Sequence, residues 1–327
     1  MPNHGDARRI PPVCILGAPR SGTSLTARIL NRCGLYLGTS DELVPARPEN
    51  VAGFWELRRA VELNERILIA MGGSKIAAPH LSPGWEDTLD LDAQRKEARA
   101  LIDEVFGNRP AWGWKDPRNS FTLPFWRKEL PELRCVICLR NPLDVAESGS
   151  LAAIPRHELD RTEAFELWGR YMASAIVNTS GWPRMIVSYE GYFADRQSTV
   201  DHLARFAGLN PPTEAHEDGT IGSLIDGRLR HHLSSVDEAL EAEDMPTSTR
   251  LLYQALWDSL HSTVEPSAVE IEDSADDALD RLALRMLTHE PGTVAGPRTL
   301  PGTTGYVTTA PGPPPPTTSG GSSSNYS

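Results

Sequence analysis

The chain has 327 residues, 39% of them hydrophobic, and a formal net charge of −12. That length suits one large domain or two ordinary ones. The acidic balance makes nucleic acid a poor partner, because binding a polyanion rests on Lys and Arg contacts to phosphate. An anionic small molecule is still admissible if the fold builds a locally positive pocket.

No stretch approaches the roughly 20 apolar residues of a membrane span. The opening Met1-Pro2-Asn3-His4-Gly5-Asp6 lacks the apolar run of a secretion signal. No membrane span and a cytoplasmic location are therefore expected. Cys14, Cys33, Cys135 and Cys138 read as buried thiols of a reducing compartment. Cys135 and Cys138 form a C-x-x-C, but in a strand these positions face opposite sides, which argues against a disulfide or shared metal.

Residues 1–12 read as a flexible N-terminus, followed by a domain over 13–290. Val13-Cys14-Ile15-Leu16-Gly17 is a short apolar run, hence a buried strand. A glycine turn follows, then a helix from Ser24 to Cys33 with Gly34 as its stop. Apolar periodicity predicts a helix over Leu57–Met71, and the charged segment Leu91–Phe106 also reads as helical. Arg134–Leu139 is a second strand. Pro142 suits a helix start, and a helix is expected through Asp144–Leu151. Phe165, Trp168, Met172 and Ile176 mark one helix face. Met185–Ser188 is a third strand, and Val200, Leu203, Ala204 and Ala207 mark another helix. Strand, glycine turn, helix is the unit of a parallel α/β sheet. The predicted class is thus α/β, with a central parallel sheet flanked by helices in three layers, like the P-loop nucleotide-binding folds. From 291 to 327 Pro, Gly, Thr and Ser dominate, which predicts a disordered tail.

The segment after the first strand carries the chemistry. Gly17 and Gly22 are separated by four residues, as in a Walker loop. The Walker lysine would follow Gly22, and Thr23 stands there instead. Arg20 supplies a positive charge inside the loop. Backbone N–H groups at the turn and helix start still point at an anion, and Ser21, Thr23 and Ser24 add hydroxyls. The site suits a phosphate-type group better than Mg-ATP. A P-loop kinase or nucleotide-binding protein is the competing reading, and a vestigial, non-catalytic pocket is a third.

Pro19-Arg20-Ser21-Gly22-Thr23-Ser24 resembles the 5′-phosphosulfate loop of sulfotransferases that use 3′-phosphoadenosine 5′-phosphosulfate (PAPS). It is closer to the tyrosylprotein, carbohydrate and bacterial type than to the cytosolic steroid and phenol type. Leu139-Arg140-Asn141-Pro142 through Ser148 resembles the family's 3′-phosphate segment. There a strand-end arginine and a serine eight residues later, here Arg140 and Ser148, hold the phosphate. Trp114-Lys115-Asp116-Pro117-Arg118 is a third match, and Tyr189-Glu190 with Phe206-Ala207-Gly208-Leu209 a fourth. The resemblance runs from about Val13 to Leu209.

The resemblance implies sulfuryl transfer from PAPS to a hydroxyl of a sugar, lipid or secondary metabolite, with no metal. It gives Arg20 and Lys115 to the sulfonate and the leaving oxygen. A carboxylate must take the acceptor proton. Candidates are Glu56 in Asn50-Val51-Ala52-Gly53-Phe54-Trp55-Glu56, Asp41 or Glu42 about twenty residues past Arg20, and Asp116. His80 and His157 fit less well. His231 and His232 end a helix or line the acceptor cleft. Trp55, Trp85 and Trp112 suit an apolar or sugar-stacking wall, but equally the core.

Overall fold

The computed structural model describes residues 9–289, apart from 48–49, 51, 78–83, 89, 149–158, 212–220, 226–232, 262–267 and 271–275. The 291–327 segment, most of residues 1–12, His80, His157, His231 and His232 lie outside the described residues.

The apolar run Val13–Gly17 forms β1, buried along its whole length. It passes through the glycine turn into α1 (Thr23–Arg32). Helices α2 (Arg58–Ala70), α3 (Trp85–Thr88) and α4 (Asp92–Leu101) follow, then β2 (Gly113–Lys115) and α5 (Asn119–Glu129). Next come β3 (Arg134–Leu139), α6 (Pro142–Glu147), α7 (Arg161–Thr179) and β4 (Arg184–Ser188). The remaining elements are α8 (Gly191–Ala194), α9 (Arg196–Phe206), α10 (Val236–Glu241), α11 (Thr247–His261), β5 (Ala268–Glu270) and α12 (Asp276–His289).

The sheet order is β2-β1-β3-β4-β5. The first four strands are parallel, with Cys14 opposite both Trp114 and Cys135, and Ile137 opposite Ile186. β5 runs antiparallel to β4 at the edge. The sheet is therefore parallel where sequence predicts it, with one reversed edge strand that sequence does not.

Alternation along the strands divides the core in two. Cys14, Leu16, Cys135, Ile137, Leu139 and Ile186 face one layer, packed with α2, α5, α7 and α11. Val13, Ile15, Val136, Cys138, Met185 and Val187 face the other, packed with α1 and α9. Cys135 and Cys138 thus sit on opposite faces, and all four cysteines are free. The stripe Phe165, Trp168, Met172, Ile176 is fully interior. Each buried Phe, Met or Ile of that kind contributes roughly 1.5–3 kcal/mol of hydrophobic stabilisation.

Two helices depart from expectation. The predicted Leu91–Phe106 helix is α4 followed by a π-helical turn, Ile102–Phe106. That turn ends at Gly107, whose N–H donates to the Asp103 carbonyl and where a Cβ would sit 2.4 Å from the same oxygen. α5 keeps Pro124 in its interior. Proline has no N–H for the carbonyl four residues back. That carbonyl, on Ser120, is taken by Asn178 Nδ2 of α7 at 2.8 Å, so the helix continues without an orphan acceptor. The predicted Asp144–Leu151 helix is described only as far as α6.

In open α/β sheets ligands gather at the carboxyl ends of the strands. Here β1, β2, β3 and β4 end at Gly17, Lys115, Leu139 and Ser188, next to each of the motifs singled out above.

Candidate active site

The loop after β1 is built by backbone geometry. Gly17 has φ 131°, and a Cβ there would lie 2.6 Å from the Cys138 carbonyl oxygen, so only glycine lets β1 and β3 meet at this level. Arg20 (φ 69°) and Gly22 (φ 85°) are both left-handed. Such a pair turns successive N–H groups toward one side, which makes an anion-binding concavity. Holding Arg20 there costs on the order of 1–3 kcal/mol, the kind of strain found at ligand clamps. A Cβ on Gly22 would come within 2.6 Å of the Tyr189 ring. Thr23 opens α1, and Ser24 Oγ donates to the Phe54 carbonyl at 3.0 Å.

A short antiparallel clip positions Glu56. Val44 N–H donates to the Glu56 carbonyl, Arg58 N–H donates to the Glu42 carbonyl, and Leu43 bridges Leu57. Before it the chain bends at Gly53 (φ 83°) and Trp55 (φ 59°), and the Trp55 indole N–H donates to the Ala52 carbonyl at 3.0 Å. Glu56, 8% exposed, then meets Lys115 at the end of β2, 3% exposed. Lys115 Nζ donates to Glu56 Oε1 at 2.7 Å. This is the central charged contact of the site.

Directly below it lies a polar network that sequence reading missed. Asp116 Oδ1 accepts from the Arg118 backbone N–H at 3.0 Å and from Arg118 Nη1 at 2.8 Å. Asn64 of α2, fully buried, donates through Nδ2 to Asp116 Oδ2 at 2.8 Å and to Asn119 Oδ1 at 2.9 Å. Its Oδ1 accepts from Thr122 Oγ1 and Trp126 Nε1, both at 2.8 Å. All four hydrogen-bonding capacities of the amide are filled. Asn64 thereby ties α2, which follows Glu56, to the segment after Lys115. Arg118 also reaches Glu65 at 3.1 Å. Burial alone would depress Arg118, but Asp116, Glu56, Tyr171 and Glu65 hold it above its ordinary value. The available signal was a lone asparagine in the apolar stripe of α2, between Ala60 and Leu68.

At the end of β3, Arg140 is 7% exposed. Its Nη1 donates to the Arg20 carbonyl at 3.2 Å, its Nη2 lies 3.8 Å from Asp144 Oδ2, and its guanidinium sits 4.5 Å from the Tyr189 ring centre. Asn141 caps α6, its Oδ1 accepting from Leu143 N–H at 2.9 Å, while Nδ2 donates to the Ser234 and Ser235 carbonyls. Glu190 accepts from Ser188 Oγ and from Asn141 N–H, and burial pushes its carboxyl above the ordinary value despite these bonds and Arg140.

These groups open onto one cavity of about 550 Å³. Pro19, Arg20, Gly22, Thr23, Ser24, Glu56, Lys115 and Arg140 all line it. Seven basic side chains (Arg20, Arg47, Arg58, Lys75, Lys115, Arg118, Arg140) face three acidic ones (Glu56, Glu62, Glu65) there. A positive pocket in an acidic protein is what a bound anion requires. Two buried polar atoms beside it, Ser21 Oγ and Arg140 Nε, have no partner among the described residues, which fits a ligand rich in acceptor oxygens.

Other predicted site residues are not among those lining the cavity. Asp41 is exposed, and Glu42 Oε2 accepts from Thr39 N–H at 2.7 Å; neither lines the cavity. Asp116 is buried beneath it. Ser21 is buried beside it, and Ser148 ends α6 with Oγ donating to the Val145 carbonyl at 2.8 Å. Trp85 and Trp112 belong to the core.

The chain is similar, at low identity, to several solved structures. They include the sulfotransferase domain of the Synechococcus PCC 7002 olefin synthase, 16% identical over 76% of this chain and 95% of that one, with TM-score 0.42. The sulfotransferase domain from the curacin biosynthetic pathway is 16% identical over 79% of this chain and 100% of that one, with TM-score 0.43. A sulfotransferase of Mycobacterium tuberculosis H37Rv is 17% identical over 72% and 75%, with TM-score 0.39. Among curated proteins none matches significantly. The model of the sulfotransferase family, by contrast, matches residues 11–213, from the start of β1 to beyond α9. A match over more than half of the length settles descent: this chain belongs to the sulfotransferase family.

Proposed function

We propose that the protein moves a sulfuryl group from PAPS to a hydroxyl of a small-molecule, glycan or lipid acceptor, in line, with Glu56 as general base. The observation that carries this is the buried Glu56–Lys115 contact at 2.7 Å, opening onto the same cavity as the β1 loop and Arg140. When bound, the donor supplies an activated S–O bond whose leaving group is adenosine 3′,5′-bisphosphate.

The chain's own residues divide the remaining work. The N–H groups of the Pro19–Ser24 loop and the hydroxyl of Thr23 cradle the 5′ end, and Arg20 and Lys115 neutralise charge on the sulfonate and the leaving oxygen. Each such preorganised donor is worth about 2.7–4 kcal/mol in the transition state. Arg140, with Ser21 and Ser148 of the same motifs, takes the phosphate groups of the nucleotide. Glu56 accepts the proton of the attacking hydroxyl as the new S–O bond forms. Asp41 and Glu42 stand outside the cavity, which favours Glu56 for this step. Cys14, Cys135 and Cys138 are buried in the sheet as small apolar side chains, a use of cysteine that suits a reducing, cytoplasmic setting.

The test is a thermal-shift comparison. Adenosine 3′,5′-bisphosphate at about a hundred times its dissociation constant stabilises by about 2.7 kcal/mol. At roughly 2–4 °C per kcal/mol for a domain of this size, Tm rises by about 5–10 °C. A shift with Mg-ATP and none with the bisphosphate overturns the proposal. Incubation with PAPS and cell extract, followed by mass spectrometry, then finds the sulfated product.

A further inference from the structure

We infer that the acceptor carries an anionic group, a carboxylate or a phosphate monoester, on an apolar body. This rests on the donor reading above and concerns the other half of the same cavity.

The donor groups come from the ends of β1 and β3, neighbours in the sheet. The segment from Val44 through α2 to Lys75 belongs to the opposite side. It is tied to the end of β2 by Glu56–Lys115 and Asn64–Asp116. Four cations from or beside this segment line the cavity: Arg47, Arg58, Lys75 and Arg118. Two are already committed. Arg118 is held by Asp116 and Glu65, and Arg58 Nη2 donates to the Asp41 carbonyl. Arg47 and Lys75 make no ion pair among the described residues. Glu62, on the exposed side of α2, is the one acidic lining residue likewise without a pair among them.

Lys75 is more than a stray surface lysine. Its backbone is fixed in a turn: Ser74 N–H donates to the Ala77 carbonyl, and Ser74 Oγ accepts from the N–H of Ile76 and Ala77. The Lys75 carbonyl accepts from the hydroxyl of Tyr171, a buried residue of α7, at 2.7 Å. A buried tyrosine thus anchors the turn that presents this ammonium to the cavity. The Arg47 backbone is also held, its carbonyl accepting from Asn50 N–H at 2.8 Å. Two cations with no ion pair among the described residues, in a cavity already rich in positive charge, suit an anion from outside. Val44, Phe54, Val61 and Tyr171 supply the apolar lining for the rest of the acceptor.

The experiment uses the full chain, PAPS and matched acceptors: a long-chain hydroxy acid, its methyl ester, and the corresponding phosphate monoester with a free hydroxyl. The charged compounds give kcat/KM at least tenfold above the ester, and the better of the two identifies the anion. In Lys75→Glu that preference falls tenfold or more, while adenosine 3′,5′-bisphosphate binds within twofold of wild type. Equal or better turnover of the ester overturns the inference and leaves the donor reading standing. A large loss of bisphosphate affinity in Lys75→Glu also overturns it, by moving Lys75 to the donor. Absence of bisphosphate binding to wild type is a failure of the donor reading itself.

Discussion

Replacing Glu56 separates its structural from its chemical part. In Glu56→Ala the ammonium of Lys115, 3% exposed, loses its carboxylate partner at 2.7 Å. Stranding a buried charge in this way costs about 3–5 kcal/mol. Glu56 borders a cavity that admits water, so the lower end applies, about 3 kcal/mol. At roughly 2–4 °C per kcal/mol, Tm falls by about 6–12 °C. Glu56→Gln keeps an acceptor oxygen at the same place but not the opposite charge, so it recovers roughly 1 kcal/mol of that loss, the worth of one hydrogen bond. Both variants lose the proton acceptor, and turnover drops about 10²–10⁴-fold in each. Bisphosphate binding persists in the glutamine variant. The assays are calorimetry for Tm, titration for the bisphosphate, and turnover with PAPS. Equal Tm values for the two variants would refute the buried-pair reasoning, and full turnover by Glu56→Gln would remove Glu56 as base.

Four further outcomes are expected. Arg140→Ala loses a charged hydrogen-bonding partner worth about 1.5–3 kcal/mol and weakens bisphosphate binding roughly 10- to 100-fold by titration; unchanged affinity removes Arg140 from the site. Gly22→Ala combines φ 85° with a Cβ 2.6 Å from the Tyr189 ring, so binding of the bisphosphate is lost and Tm falls; a wild-type response would contradict the loop geometry. Asn64→Leu strands the Trp126 N–H and Asn119 Oδ1 and removes one of the bonds to Asp116. At about 1–3 kcal/mol for each stranded group, chemical denaturation reports a loss of about 2–6 kcal/mol; a loss under 1 kcal/mol would show that the network is not a unit. Glu190 has its carboxyl raised by burial, so its contribution is fully favourable below the ordinary value of 4.5 and is lost as pH rises through the raised value. The Tm of Glu190→Gln minus that of wild type therefore increases from pH 4.5 upward, and a flat difference across a pH series would disprove this.

The parallel sheet was legible because β1, β3 and β4 are short runs, apolar through their middles and flanked by glycine or proline, a pattern that burial on both faces imposes. β2 was not, because Gly113–Lys115 is three residues long and reads as a motif rather than a run. α5 was hidden by Pro124, whose lost hydrogen bond is made good by Asn178, a residue 58 positions from the carbonyl it satisfies. β5 and α12 depend on contacts that no local pattern announces, such as Arg184 Nη2 donating to Asp280 Oδ1 at 2.9 Å. In the site, Gly17, Arg20 and Gly22 could be named from the loop's own spacing, and Lys115 and Arg140 from the family segments they resemble. That Glu56 lines the cavity while Asp41 and Glu42 do not depends on the three-dimensional clip of residues 42–44 against 56–58, and nothing in the spacing encodes it. Asn64 went unnoticed because a polar residue in an apolar stripe looks like a flaw until its four partners converge on it.

Tyr189 is a wall shared by two segments. Gly22 spares room for its ring, Arg140 lies over its face, and Arg140 in turn holds the Arg20 carbonyl. The loop after β1 and the end of β3 are consequently one mechanical part. Single truncations at Arg140 and Tyr189 each remove some of the same support, so their effects on affinity will not add in the double variant. A scan that sums such losses residue by residue will overstate what any one of them contributes.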